Sequence, residues 1–282
     1  MRCSRVTFCR LEIHRQLEVY LRHYSCGSHS SAAIPSAVAA TPVPLVLKPT
    51  FLVSACLLGE PVTYRGESIK PRNPCCTPIG FIVDFLWRRC GLIDCIAVCP
   101  EMDVLGMPSP RPPLRLVRDA ATGQRSALSS DVAVRLPLTP FTDNWTDDSG
   151  LKQRLTLRDP RLVEELLQKR LMGVDGCVLK SRSPSCGAGD ARLYNNVAGG
   201  KYLKTDGFFV ESFIRPFRSD GEAPLPVVTE KSLYFDDDKG QTRKNEAKKS
   251  CNCGVLAFLN SALKRHEARK GNSALVSHRY PY

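Results

Sequence analysis

Three short apolar runs in this chain, Phe51–Ala55, Ile93–Val98 and Gly176–Lys180, each lead straight into a turn-rich cysteine motif. The motifs are Ser-Ala-Cys at 54–56, Cys-Pro-Glu at 99–101 and Ser-Pro-Ser-Cys-Gly at 183–187. Continuous apolar runs of this length read as strands buried on both faces, as in a parallel sheet. Helical patterns lie between them. Residues 77–90 place Ile79, Ile82, Val83 and Leu86 on one face, with Thr77 as N-cap and Gly91 just past the end. A second pattern lies between Asp147 and Met172, broken near Asp159–Pro160, and a further strand is predicted over 114–118 with a turn near Gly123. This alternation predicts an α/β fold: a single three-layer, Rossmann-like domain with a mostly parallel central sheet flanked by helices.

In open α/β sheets the loops at the carboxyl ends of strands gather into one crevice, and ligands bind there. Cys56, Cys99 and Cys186 are therefore predicted to meet, although more than 40 residues separate each from the next. Three thiolates around a metal or iron–sulfur centre leave one coordination position open for chemistry. The chain has 13 cysteines, with no Cys-x-x-Cys pair of the kind a zinc ribbon uses. Cys95 and Cys177 sit inside predicted strands and read as small core side chains. Cys75, Cys76 and Cys90 read as structural, and Cys251 and Cys253 as incidental to a charged segment.

The five histidines are His14, His23, His29, His266 and His278, so none falls between Phe51 and Arg265. This removes Ser-His-Asp and Cys-His nucleophilic catalysis and histidine-ligated zinc from the predicted site. There is no glycine-rich dinucleotide fingerprint, phosphate-loop lysine motif or histidine-pair metalloprotease helix. Thiolates and carboxylates remain.

The net charge is +12. Its excess divides equally among residues 1–50, 51–217 and 218–282, so the two ends are the more densely basic. A basic surface suits RNA, an anionic substrate or solubility alone. No stretch reads as a membrane span; the apolar candidate at 32–47 is broken by Pro35, Pro42 and Pro44. The cysteine usage points to a reducing, intracellular compartment. Residues 1–50 carry spaced arginines and then a Ser/Ala/Pro-rich stretch, as in an organellar (for example mitochondrial) transit peptide with its linker, although Glu12 and Glu18 are unusual there. A disordered leader in a cytoplasmic protein fits the same composition. Residues 51–235 are predicted to form the folded domain, and 236–282 a charged tail with one helix near 251–268.

Four stretches, taken together, resemble a known family. Val53-Ser-Ala-Cys-Leu-Leu-Gly-Glu-Pro-Val62, Val98-Cys-Pro-Glu101, Met107-Pro-Ser-Pro-Arg-Pro-Pro113 and Asp175-Gly-Cys-Val-Leu-Lys-Ser-Arg-Ser-Pro-Ser-Cys-Gly187 are similar to the 2-thiouracil desulfidase family, in the family's order, over roughly residues 51–217. The resemblance implies a 4Fe–4S cluster held by Cys56, Cys99 and Cys186, with the fourth iron open to the substrate's sulfur. It implies Glu101 as the catalytic acid/base and Ser183 as the catalytic serine. The implied reaction replaces C=S by C=O on a thiolated pyrimidine and releases sulfide without net redox change. It also implies a small thiolated nucleobase or nucleoside as ligand, and iron–sulfur assembly machinery as a partner.

The physical logic is consistent with those residues. Soft iron suits a thiocarbonyl sulfur, Glu101 stands two residues beyond a ligand to activate water, and Ser183 can hydrogen-bond the base or the developing anion. Arg111 in the proline-rich loop reads as the partner of a carboxylate or, alternatively, as a group facing the substrate. Two alternatives stay open: a sulfur-handling enzyme acting on thiolated tRNA, for which the basic ends speak, and a non-catalytic metal-binding protein. After Asp190 the family pattern loosens, which leaves the substrate less constrained than the cluster.

Overall fold

β1 (Thr50–Ser54) is apolar on both faces because it lies in the middle of a sheet. In the computed structural model it pairs in parallel with β2 (Asp94–Val98) on one side and β6 (Gly176–Leu179) on the other; β6 pairs in parallel with β9 (Val227–Thr229). The order β2-β1-β6-β9 makes an all-parallel sheet of four strands. The structure describes residues 13, 15, 16, 48–69, 77–118, 120, 121, 123, 125–129, 135–137, 171, 173–196, 198–216, 224–234 and 253–277. The helical pattern expected between Asp147 and Met172 lies almost wholly outside them, as do most of the first 50 residues and the charged run 236–249.

Alternating side chains of β1 feed two cores. Phe51 and Val53 join one with Phe81, Ile82 and Leu86, while Leu52 joins the other with Cys177 and Leu179. The first core is covered by helix α1, an α-turn at Pro78–Gly80 continuing as a π-wound stretch Phe81–Arg89. Thr77 caps it, its Oγ1 accepting from the Gly80 N–H at 3.1 Å, and Gly91 (φ +60°) follows its end. Proline at N1 fits, since that position has no intrahelical N–H bond to lose.

The second core lies against another sheet, formed by β3 (Leu114–Arg118), β4 (Arg125–Ser129), β5 (Arg135–Pro137), β7 (Ala191–Tyr194) and β8 (Tyr202–Thr205), in the order β5-β4-β3-β7-β8. The expected α/β architecture with its parallel sheet is present. This mostly antiparallel sheet is an addition that the strand–helix alternation did not announce. Short α2 (Pro100–Asp103) follows β2, and π-wound α3 (Val210–Ile214) follows β8.

A short parallel pair, β10 (Leu233–Tyr234) with β11 (Cys253–Gly254), brings the chain back to start α4 (Val255–Ser277). Phe258, Leu259, Ala262 and Leu263 of α4 are all fully buried in the first core, as is Ile13. The fold thus draws on residues on both sides of 51–235. Phe258 meets Phe51 edge-on with centroids 5.4 Å apart. Asp175, at the amino end of β6, accepts from the Thr50 N–H (2.8 Å), lies 3.0 Å from His266 Nδ1, and pairs with Arg269 Nη2 at 2.9 Å. The histidine just past Arg265 therefore enters the fold at the end of the sheet opposite the cysteine loops. Phe258→Ala is expected to destabilise the protein by about 3–5 kcal/mol, because truncating a core aromatic loses its transfer energy and leaves a cavity. Urea titration would check this; a loss under about 1 kcal/mol would mean that α4 is not part of the stable core. Among the described residues no helix is long and apolar enough to cross a membrane.

Candidate functional site

All four parallel strands deliver polar or sulfur-bearing side chains at their carboxyl ends. β1 ends at Ser54 and turns through Ala55–Leu58, which carries Cys56; Gly59 (φ +92°) closes that turn. β2 ends at Val98, and Cys99 precedes the proline that opens α2, with Glu101 in its first turn. The Cys99 N–H donates to Asp103 Oδ2 at 2.9 Å, which fixes the strand-to-helix corner. β6 leads through Lys180 and Ser181 into the loop carrying Cys186, and β9 is followed by Glu230. Ser181 Oγ donates to Asp190 Oδ2 (2.6 Å), and the Arg182 N–H donates to Asp190 Oδ1 (3.0 Å). Arg182 has φ +60°, uncommon for a side chain of this kind.

The 183–187 loop is wound tightly by its own groups and by a segment twenty residues on. Ser183 Oγ accepts from the N–H groups of Ser185 and Cys186, both at 3.1 Å. The N–H groups of Gly207, Phe208 and Phe209 donate to the carbonyls of Gly187, Pro184 and Ser185 at 2.7, 3.0 and 3.1 Å. Only glycine permits this approach. A Cβ on Gly207 would stand 2.4 Å from the Ser185 carbonyl oxygen, and one on Gly187 would stand 2.8 Å from that of Ser183.

The three cysteines are free thiols and feel one another. Burial pushes Cys56 up to about 12; Lys180 opposes this, while Cys99 and Glu230 add to it. Burial raises Cys186 above the ordinary thiol value too, against a hydrogen bond from Ser54, and negative charge on Cys56, Glu101 and Cys99 raises it further. Cys99 is raised by burial, partly offset by the Met102 N–H and the Arg111 guanidinium. Desolvation disfavours the thiolate at each position. Lys180 lies beside this group, its N–H donating to Ser54 Oγ at 2.9 Å and its Nζ pairing with Glu230.

Glu101 is held at both oxygens. Arg111 Nε donates to Oε2 at 2.6 Å, and Ser185 Oγ donates to Oε1 at 2.5 Å. Residue exposures are 9% for Glu101, 8% for Arg111 and 1% for Ser185, so both contacts are shielded from water. The rest of the Arg111 guanidinium spans three loops: Nη1 donates to the Pro108 carbonyl (3.1 Å), and Nη2 donates to the Val62 carbonyl (3.0 Å) and lies 3.8 Å from Cys99 Sγ. Buried charge-assisted bonds of this kind fix a carboxylate's position as well as its charge.

Cys56, Cys99, Cys186 and Glu101, each singled out from sequence, thus come together as one electrostatic group. Ser183 lies in the same loop, but its oxygen holds backbone N–H groups. The serine that touches Glu101 is Ser185, two residues further on, which sequence reading did not single out. The motif offers two serines in Ser-Pro-Ser, and nothing local distinguishes them. Ser54 and the Lys180–Glu230 pair were likewise not read as part of the site. Among the described residues no three His, Cys, Asp or Glu side chains converge closely enough to bind a single metal ion. Cys95 and Cys177 stand apart: both are pushed up to about 12, chiefly by burial, and Cys177 is fully buried within β6.

One solved structure similar to this chain is that of a 4Fe-4S-dependent thiouracil desulfidase, TudS (DUF523Vcz). It is 26% identical, with 66% of this chain and 93% of that chain covered, and the TM-score is 0.38. No curated protein matches the chain. The profile of the family described as 2-thiouracil desulfurase matches residues 51–219. That stretch runs from β1 past α3, includes all three strand-end cysteines with Glu101, Arg111, Ser183 and Ser185, and exceeds half of the chain; the protein is a member of the 2-thiouracil desulfurase family.

Proposed function

We propose that the protein is a hydrolytic desulfidase that converts the C=S group of a 2-thiouracil-like thiolated pyrimidine to C=O, with one water consumed and sulfide released. The observation that carries this reading is Glu101: a buried carboxylate fixed by Arg111 and Ser185 beside three coupled cysteines.

The donor set suits a 4Fe–4S cluster held by Cys56, Cys99 and Cys186. In a four-iron cluster each thiolate meets a different iron, so the sulfurs need to surround a volume and not converge on one point. Burial and mutual repulsion hold all three as thiols; positively charged iron removes that penalty by replacing the protons. When bound, the cluster would supply Lewis acidity toward the substrate's thiocarbonyl sulfur.

The remaining work belongs to the chain. Glu101 takes the proton from water, and Oε1, which faces the Ser185 hydroxyl, is the oxygen that exchanges it. Arg111 donates to Oε2 and holds the carboxylate's orientation. Ser183 Oγ accepts two N–H groups from its own loop, which leaves its proton directed outward as a donor to charge developing on the substrate. Shielding strengthens both contacts to Glu101, since water does not compete for them.

The test is anaerobic purification, iron and sulfide quantification, and chromatographic assay of uracil formed from 2-thiouracil. Uracil and sulfide in equal amounts, without added reductant, are expected. Ser183→Ala and Ser185→Ala are each expected to slow turnover, the second because it removes the hydrogen bond that positions Glu101 Oε1. A colourless, zinc-loaded protein with no turnover would sink the proposal.

A further inference from the structure

The solvent face of the second sheet carries a charged and aromatic lattice that the desulfidase site does not use. β7 and β8 are antiparallel, and Arg192 stands opposite Lys204 while Tyr194 stands opposite Tyr202. β3 lies parallel on the other side, with Val117 beside Tyr194. One step back along the same register, two residues earlier on each strand, sets Arg115 beside Arg192. Residues directly opposite, or two apart along a strand, project from the same face. Two rows result: Arg115, Arg192 and Lys204, and beside them Val117, Tyr194 and Tyr202. None of the six is acidic.

Diagonal contacts join the rows. The Arg192 guanidinium lies 4.8 Å from the Tyr202 ring centroid, and that of Arg115 lies 5.7 Å from the Tyr194 centroid. The two tyrosine rings are 5.7 Å apart. Tyr202 is 44% exposed, and Lys204 is exposed with it. The row sets two arginines and a lysine on three neighbouring strands. An anionic chain crossing the strands would meet each of them in turn.

We propose that this face binds single-stranded RNA, with the cation row along the phosphates and bases stacked over the Tyr194, Tyr202 and arginine planes. Strand spacing of about 4.8 Å sets the cations close enough to follow one backbone. Aromatic rings and guanidinium planes together select bases over an acidic peptide, which would use the charges but not the rings. The Tyr194 and Tyr202 hydroxyl oxygens accept from the Arg192 guanidinium, which leaves each O–H proton as a donor for a 2′-hydroxyl, the group that separates RNA from DNA. The chain enters β7 directly from the cysteine loop. The binding itself does not rest on the desulfidase reading.

The experiment uses the full chain and an unmodified, fluorescently labelled single-stranded RNA of about 12 nucleotides, within the range one such surface covers. Anisotropy is measured between about 50 and 200 mM salt, where each phosphate contact shows in the slope. Binding is expected with a log–log salt slope near −2, from about 0.7 per contacted phosphate. Tyr202→Ala is expected to weaken it about 5- to 150-fold, the effect of losing one stacked base. Arg192→Ala with Lys204→Ala should bring the slope to about −0.7. Turnover of free 2-thiouracil, measured in parallel, is expected to be the same in these variants, which separates this proposal from the one above. No binding at the lowest salt, unchanged affinity in both variants, or equal competition by polyglutamate or by DNA of the same sequence would each overturn it.

Discussion

Glu101→Gln is expected to lower the rate of sulfide release from 2-thiouracil by about 10²- to 10⁴-fold, the usual contribution of a positioned acid/base group. Glutamine keeps the shape and removes the proton-accepting oxygen. Its amide oxygen can still face Arg111 Nε, and its NH₂ would then face Ser185 Oγ, which can turn to accept. The Arg111 guanidinium keeps its bonds to the Pro108 and Val62 carbonyls. Iron content and the circular-dichroism spectrum should therefore match the parent. Glu101→Asp retains the charge beside Arg111 but withdraws the carboxylate by one methylene, and is expected to be slow as well. A Glu101→Gln protein that is folded, iron-loaded and within threefold of the parent's rate (about 0.6 kcal/mol) would remove Glu101 from the chemistry.

The second large effect is on the metal. Replacing Cys56, Cys99 and Cys186 together with alanine is expected to take the anaerobically purified protein from about four irons per chain to none, with loss of the brown colour and of all turnover. Buried free cysteine behaves as a small hydrophobe, so the metal-free variant should fold. Loaded parent and variant will differ in melting temperature, because a group bound to the native state alone stabilises it by mass action. Cys177→Ala and Cys95→Ala are the controls. Both side chains are desolvated like the candidate ligands, but they point into β6 and β2 packing and not into the loop cluster. Iron retained by the triple variant, or lost equally from Cys177→Ala, would overturn the ligand assignment.

How far these features could be read beforehand differs from residue to residue. Phe51–Ala55, Ile93–Val98 and Gly176–Lys180 are legible because a strand buried on both faces has to be apolar throughout, and the following Gly, Pro and Ser punctuate its end. The convergence of Cys56, Cys99 and Cys186 follows from one topological fact: a parallel sheet puts every carboxyl end on the same edge. Arg111 as a carboxylate's partner was also legible in kind, since a buried guanidinium needs one.

Ser185 was not. It and Ser183 flank one proline, and which of them meets Glu101 depends on how the loop winds. That winding is set by N–H groups of residues 207–209 and by the bare Cα of Gly207, none of them local. The same holds for α4. Its apolar stripe suggested a helix, but its place in the core depends on Asp175, 91 residues before His266, holding His266 and Arg269 at the far end of the sheet. The second sheet depends likewise on strands of three to five residues whose partners are chosen by the shared core. Apolar runs and their punctuation, which are local, determined by themselves the three strands that lead to the cysteines, the α/β class and the cysteine edge. Tertiary structure alone decided which hydroxyl touches the carboxylate and which distant segments close the core, because those choices are made by close approach between residues that sequence spacing does not relate.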